Sequence, residues 1–179
     1  SDHGEPLGED HGAHGPIVNK ARPWLYEELV RIPLLIRHPD GFGAGEACES
    51  MVLTCDLMPT ILDFLNVKGP SVMDGQSLLP MLKEKSTSIR EYAYLGWFKH
   101  SISLRTPEYS FHRWRDEPAE LYDLTQDLYE TDNILHEEPA VAREYNEALV
   151  QFIKDLKNRH PDDQPRDSRE FYIIDNNPY

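Results

Sequence analysis

Residues 32–37, Ile-Pro-Leu-Leu-Ile-Arg, decide the fold class. A short apolar run bounded by prolines, here Pro33 and Pro39, is the pattern of a strand buried on both faces, as in a sheet covered by helices on either side. Upstream, residues 24–30 read as a short helix or turn, with Pro23 permitted at its start. Downstream, Asp56 can cap a helix in which Leu57, Met58, Ile61, Leu62 and Leu65 make one apolar stripe, with Pro59 in the first turn and Gly69-Pro70 as the stop. That stripe reads as core. Strand, loop and amphipathic helix in succession predict an α/β core.

Further along, residues 67–88 are punctuated by Gly69, Pro70, Gly75 and Pro80 and read as a connection carrying one short helix at 78–83. Then the period changes. Residues 92–98, 102–105, 109–114 and 121–124 are aromatic and β-branched runs at hairpin spacing, which predict a small antiparallel sheet. Pro139 opens a long helix with Val141, Tyr145, Leu149, Phe152, Ile153 and Leu156 on one face, placed to cover that sheet. The chain after His160 is polar apart from residues 171–174 and is expected to lie on the surface or fray. The expected division is therefore 1–85, α/β core; 86–160, small sheet with its helix; 161–179, polar tail.

The first twenty residues, SDHGEPLGEDHGAHGPIVNK, hold Asp2, His3, Glu5, Glu9, Asp10, His11, His14 and Lys20 with almost no core-forming side chains. Four glycines and two prolines argue against regular structure and place these groups on a loop, where chemistry is usually carried. Asp2 and His3 are adjacent carboxylate and imidazole donors that can reach one cation from a turning backbone. A bare surface loop with no ligand is the competing reading. A zinc site built from His3, His11 and His14 is disfavoured, since no pair has helical His spacing and no cysteine lies near.

Composition narrows the partners. A net charge of −14 argues against nucleic acid or an anionic membrane, which are recognised by clustered Lys and Arg. The acidity concentrates in residues 116–132 and 162–175, outside the candidate loop, and no run is long enough to span a bilayer. Cys48 and Cys55 flank Met51, Val52 and Leu53 and are expected to be buried thiols rather than a disulfide.

The order of motifs is more specific than any one of them. Asp2-His3-Gly4, Gly8-Glu9-Asp10-His11-Gly12, Lys20, Tyr26-Glu27-Glu28, Arg31-Ile32-Pro33-Leu34, Asp56-Leu57-Met58-Pro59-Thr60-Ile61-Leu62, Asp74-Gly75-Gln76-Ser77-Leu78 and Glu120-Leu121-Tyr122-Asp123-Leu124 occur in series. The chain from Ser1 to about Asn133 resembles the C-terminal half of a sulfatase, in the alkaline-phosphatase-like superfamily. The resemblance implies the C-terminal part of that α/β core, followed by the small sheet and long helix. It implies Asp2 and His3 as ligands of a divalent cation, Ca2+ first with Mg2+ or Mn2+ as alternatives, and Lys20 as the catalytic lysine that contacts the sulfate. It also implies a formylglycine nucleophile made from a Cys/Ser-x-Pro-x-Arg sequence. No such sequence occurs here, because Cys48 is followed by Glu-Ser and Cys55 by Asp-Leu. The nucleophile and two further metal aspartates are expected in a missing N-terminal half, and the isolated chain is expected to be inactive.

The resemblance makes His11, His14, Trp97 and His100 candidates for contact with substrate. An insertion before Lys20 leaves open which of His11 and His14 matches the family histidine, and Trp97 packing under the sheet is the alternative for that residue. Arg105 and Arg113 are expected as structural ion-pair partners, and Tyr122 as a packing residue with a satisfied hydroxyl. The implied partners are a small-molecule or carbohydrate sulfate ester and the missing half of the same enzyme. The compartment stays open, with periplasm or secretion suggested by the exported members of the family. A phosphonate monoester or phosphodiester hydrolase, and a non-catalytic scaffold fragment, are the other readings.

Overall fold

The structure is a computed structural model that describes residues 1–19, 24–84, 88–97 and 100–161. Pro23, Lys20, Phe98 and residues 171–174, all invoked above, lie outside the described residues. The chain forms two compact units, one from His3–Ile32 together with Tyr94 onward, the other from Pro33–Ala93 with Asp2.

In the first unit the polar opening segment is a hairpin rather than an irregular loop. Strands β1 (Leu7–Asp10) and β2 (Pro16–Val18) pair antiparallel, joined by a 3-10 turn over Gly12–His14. Glycine is used here as a hinge rather than a breaker: Gly8 at φ 116° sits where the register shifts, and Gly12 at φ 59° opens the turn. Gly12 has no room for a side chain, since a Cβ would stand 2.4 Å from the Thr131 carbonyl oxygen. Helix α1 (Glu27–Val30) then follows, within the 24–30 segment expected as a short helix or turn.

The four runs at hairpin spacing form one sheet in sequence order, β3 (Ala93–Trp97), β4 (Ser101–Arg105), β5 (Tyr109–Trp114) and β6 (Glu120–Asp123). β4/β5 and β5/β6 are antiparallel, with Ser103 opposite His112 and His112 opposite Glu120. Strand alternation gives the sheet two faces. Phe111, Arg113, Leu104 and Leu121 share one face, on which the long C-terminal helix (Pro139–Arg159) packs; the side chains of Arg113 and Tyr109 meet Asn146 and Tyr145 there. That helix spans Pro139–Arg159 and buries Ala142, Tyr145, Leu149 and Ile153, much of the face read from its period. The opposite face carries Ser103, Ser110, His112, Trp114, Glu120 and Tyr122 and is covered by residues 24–28. Ile17, Trp24, Leu25, Tyr26, Trp114 and Tyr122 form one buried cluster there. Packing thus joins residues 3–32 to the sheet, a different grouping from the boundary expected at 85, because the aromatic residues before α1 find their partners on β5 and β6.

The second unit contains helices α2 (Leu57–Phe64) and α3 (Leu79–Glu84). Its organising group is Asp56, which is fully buried; its side chain makes no cap bond to α2 but caps the 3-10 turn Thr54–Asp56 that precedes it. One oxygen accepts Leu53 N at 2.7 Å, the other accepts Gln76 N at 2.9 Å, and Arg90 clamps both at 2.6 Å. Burial would raise the Asp56 carboxyl, but Arg90 and the two backbone donors hold it below the usual carboxylate range. Thr60 extends the same knot, donating to Asp56 O at 2.6 Å and accepting Leu78 N at 2.9 Å. Gly75 is required beside it, since a Cβ would lie 2.0 Å from the Cys55 carbonyl oxygen.

Three expectations fail in this unit. Residues 32–37 are not a strand, and Leu35 is 88% exposed. The stripe on α2 is not core: Leu57, Met58, Ile61 and Leu65 are exposed, and Pro59 and Thr60 are the buried positions. Cys48 and Cys55 are exposed free thiols. The cause is common to all three. An apolar period marks a face that requires a covering layer, and the described residues of this unit supply none. The helix also stops earlier than Gly69-Pro70, at Asn66, whose φ of 53° lets Val67 N reach Leu62 O at 2.9 Å.

Candidate active-site wall

His3 is held by the backbone around it. Its Nδ1–H donates to Gly4 O at 2.6 Å, which assigns the lone pair of the neutral ring to Nε2. Gly4 N donates to Leu29 O at 2.7 Å, and a Cβ on Gly4 would fall 1.8 Å from Glu28 O. The turn therefore lies flat against the C-terminal carbonyls of α1, and only glycine allows it. A ring nitrogen fixed by a carbonyl acceptor is how metal-binding histidines are oriented. With the anionic oxygen of Asp2 next in sequence, the donor chemistry fits a divalent cation. No group of three or more His, Cys, Asp or Glu able to hold a metal occurs among the described residues, so the ligand set of such an ion is not complete within them.

The two other histidines of the hairpin turn inward. His11 is buried, stacked on Tyr26 with ring centroids 4.1 Å apart and Nε2 3.3 Å from a Glu28 oxygen. Burial would lower its pKa, but Glu28 and Glu130 outweigh that and raise it. His14 is half-buried over Trp24, with Nε2 2.6 Å from Glu120 Oε1. Glu120 also accepts the Tyr26 hydroxyl at 2.8 Å. Burial first, and the Glu120 charge second, push the Tyr26 and Tyr122 hydroxyls far up, so both stay neutral and serve as packed donors, as expected for Tyr122. Trp97 is partly buried and packs against the aromatic cluster, while His100 is exposed. Arg105 pairs with Glu27, and Arg113 bonds Asn146, both structural positions. Lys20 lies outside the described residues.

Several buried groups were not singled out in the sequence. Glu130 is fully buried, with Oε1 2.8 Å from His112 Nε2 and Oε2 accepting Glu27 N at 2.7 Å. His112 in turn meets Ser103 Oγ at 2.5 Å through Nδ1. Burial would raise the Glu130 carboxyl, but His112 and the hydrogen bonds hold it down. Both faces of β5 are buried, so alternation along it does not single out His112, and nothing local marks Glu130, which lies between Tyr129 and Thr131.

The family model described as N-sulphoglucosamine sulphohydrolase, C-terminal, matches residues 14–159. The chain belongs to the sulfatase family. An N-acetylglucosamine-6-O-sulfatase of Bacteroides thetaiotaomicron is 30% identical over 97% of this chain and 32% of its own length. A sulfatase of Formosa agariphila is 32% identical over 86% of the chain and 32% of its own. A solved structure described as a complex with its substrate D-glucosamine-2-N,6-O-disulfate superposes at TM-score 0.67 with 27% identity, over 81% of this chain and 32% of that one. A structure from Bacteroides thetaiotaomicron at TM-score 0.71 and 22% identity shows the fold alone. The sulfatase chain described here spans about a third of the length of these relatives. The α/β class, the antiparallel sheet and the long terminal helix are those of the alkaline-phosphatase-like superfamily.

Proposed function

We propose that this chain forms one wall of a sulfate-ester hydrolase site, with Asp2 and His3 donating to a divalent cation and Lys20 contacting the sulfuryl group. The observation that carries the reading is 30% identity along 97% of the chain with a relative described as an N-acetylglucosamine-6-O-sulfatase. The His3 ring, oriented by Gly4, supports the metal assignment. A bound cation would stabilise charge growing on the sulfuryl oxygens. Asp2 would give it a hard anionic oxygen, which suits Ca2+, Mg2+ and Mn2+ alike, with Ca2+ placed first by the family resemblance; His3 would bind through Nε2, and its imidazole tilts the site modestly toward Mn2+. Lys20 offers an ammonium to a sulfuryl oxygen or to the leaving oxygen.

The proposed substrate is a carbohydrate sulfate monoester. Relatives described as acting on 6-O-sulfated N-acetylglucosamine and bound to a disulfated glucosamine support it. The attacking group, a formylglycine by family resemblance, would lie on polypeptide outside these 179 residues, which lack Cys/Ser-x-Pro-x-Arg. The isolated chain would then have no turnover. Phosphorus-ester hydrolysis is the second reading, favoured by 43% identity over 49% of the chain with a multifunctional alkaline phosphatase superfamily protein of Trinickia caryophylli. Release of sulfate from N-acetylglucosamine-6-sulfate by the full-length enzyme, against release of phenol from the monoester phenyl methylphosphonate, separates them. Faster phosphonate hydrolysis, with the Lys20→Ala variant as active as wild type on the sulfate, contradicts the proposal.

A further inference from the structure

We propose that Glu130, supported by His112, is a positioning residue for the metal-binding turn and acts on it through α1. The inference rests on the reading of His3 as a metal ligand. Helix α1 has four residues, too few to hold itself, so its orientation must come from outside. At its N-terminal end Glu27 N, a group with no partner inside a helix, donates to Glu130 Oε2 at 2.7 Å. At its other end Leu29 O accepts Gly4 N at 2.7 Å, and Glu28 O fills the space a Gly4 Cβ would need. Any shift of α1 is thus passed directly to the residue beside His3.

Glu130 is built to resist such a shift. It is fully buried, and it adopts φ 55°, a left-handed conformation that a non-glycine residue keeps only when its surroundings impose it. The loop that carries it is tied by Asp127, whose Oδ2 accepts Thr131 N at 2.7 Å and Asp132 N at 2.8 Å. Its other oxygen is fixed by His112, which sits on β5 opposite both Ser103 and Glu120. The sheet, His112, Glu130, α1 and Gly4 therefore make one continuous path of direct contacts to the His3 turn. Its effect is geometric, exerted through the bonds to Glu27 N and His112.

The test is calorimetric titration of Ca2+ into the full-length enzyme after chelator treatment. Outer-shell partners of metal ligands are worth about 10- to 100-fold in affinity, so Glu130→Ala should weaken Ca2+ binding at least about 10-fold, with kcat recovered at saturating Ca2+. Glu130→Gln keeps an acceptor for Glu27 N and an amide for His112, and should stay within about threefold of wild type. Thr106→Val removes the 2.9 Å bond to Tyr145 and destabilises the same unit, yet should leave Ca2+ affinity unchanged. Should Glu130→Ala fail to fold, His112→Asn replaces it, with a weakening of about threefold or more in the same direction. Wild-type Ca2+ affinity in the folded Ala or Asn variant, or equal loss in Glu130→Gln and Glu130→Ala, overturns the inference. Unchanged affinity in His3→Ala would instead remove the metal reading on which it stands.

Discussion

The two units of this chain use hydrophobic burial and buried charge in opposite proportions. The unit built on the four-stranded sheet covers both faces of β5, one with aromatic residues from 24–26 and one with the Pro139–Arg159 helix. The Pro33–Ala93 unit leaves Leu35, Met58, Ile61 and Leu65 more than half exposed and is organised by Asp56 and Arg90. A buried ion pair specifies geometry, but it contributes little net stability compared with an apolar layer. The second unit is thus defined in shape and weak in cohesion, while the first carries its own core.

The sharpest way to break this contrast is Arg90→Ala. Leaving Asp56 as an uncompensated buried carboxylate costs about 3–5 kcal/mol, enough to melt the second unit. Hydrogen exchange should show lost protection at α2 and α3, with β4 and β5 still protected. Uniform loss across both units would mean that they do not behave separately. In the first unit Leu149, fully buried on the terminal helix, is the matching position. Leu149→Ala should lower its stability by about 2–5 kcal/mol in denaturant titration. Leu35→Ser should change the stability of this chain by less than about 0.5 kcal/mol, because the side chain is 88% exposed. A large effect there would show that the run is covered after all.

The legibility of the sequence follows the same division. The sheet and its helix were readable because aromatic and β-branched runs at hairpin spacing and the helical period mark segments that this chain itself covers, from residues 109–114 to Tyr145 and Leu149. Residues 32–37 and the α2 stripe carry the same kind of signal without a covering layer, so a correct pattern led to a wrong expectation of burial. The opening segment was misread for a different reason. Gly8 and Gly12 supply positive φ for a bulge and a turn, so they allow a hairpin where glycine count alone suggested irregular backbone. Of the candidate site, the sequence named Asp2 and His3 as candidate ligands, whereas the supports depend on contacts between separate segments, Gly4 with Leu29 and Glu27 with Glu130, which no local pattern records.

Buried charge also sets the pH response. Glu130 and Asp56 have folded pKa values below the ordinary 4.5 and 3.8, so each contributes stability above those values that is lost as pH falls through the depressed folded pKa. His11 has the opposite sign: raised above 6.5, it contributes below that value, and the contribution fades as pH rises through the folded pKa. Thermal unfolding followed across pH should show the sheet unit losing stability on the acid side through Glu130 and, more weakly, on the alkaline side through His11. Glu130→Gln should remove much of the acid limb; an unchanged acid limb would assign it to other carboxylates.

The account turns on the Asp2-His3 turn as a cation ligand. The most direct measurement is the Ca2+ affinity of the full-length Asp2→Ala variant beside wild type. Loss of a charged ligand predicts binding weakened by about 100-fold or more, above the 10- to 100-fold expected for an outer-shell contact. Undiminished affinity in a folded Asp2→Ala enzyme contradicts the account.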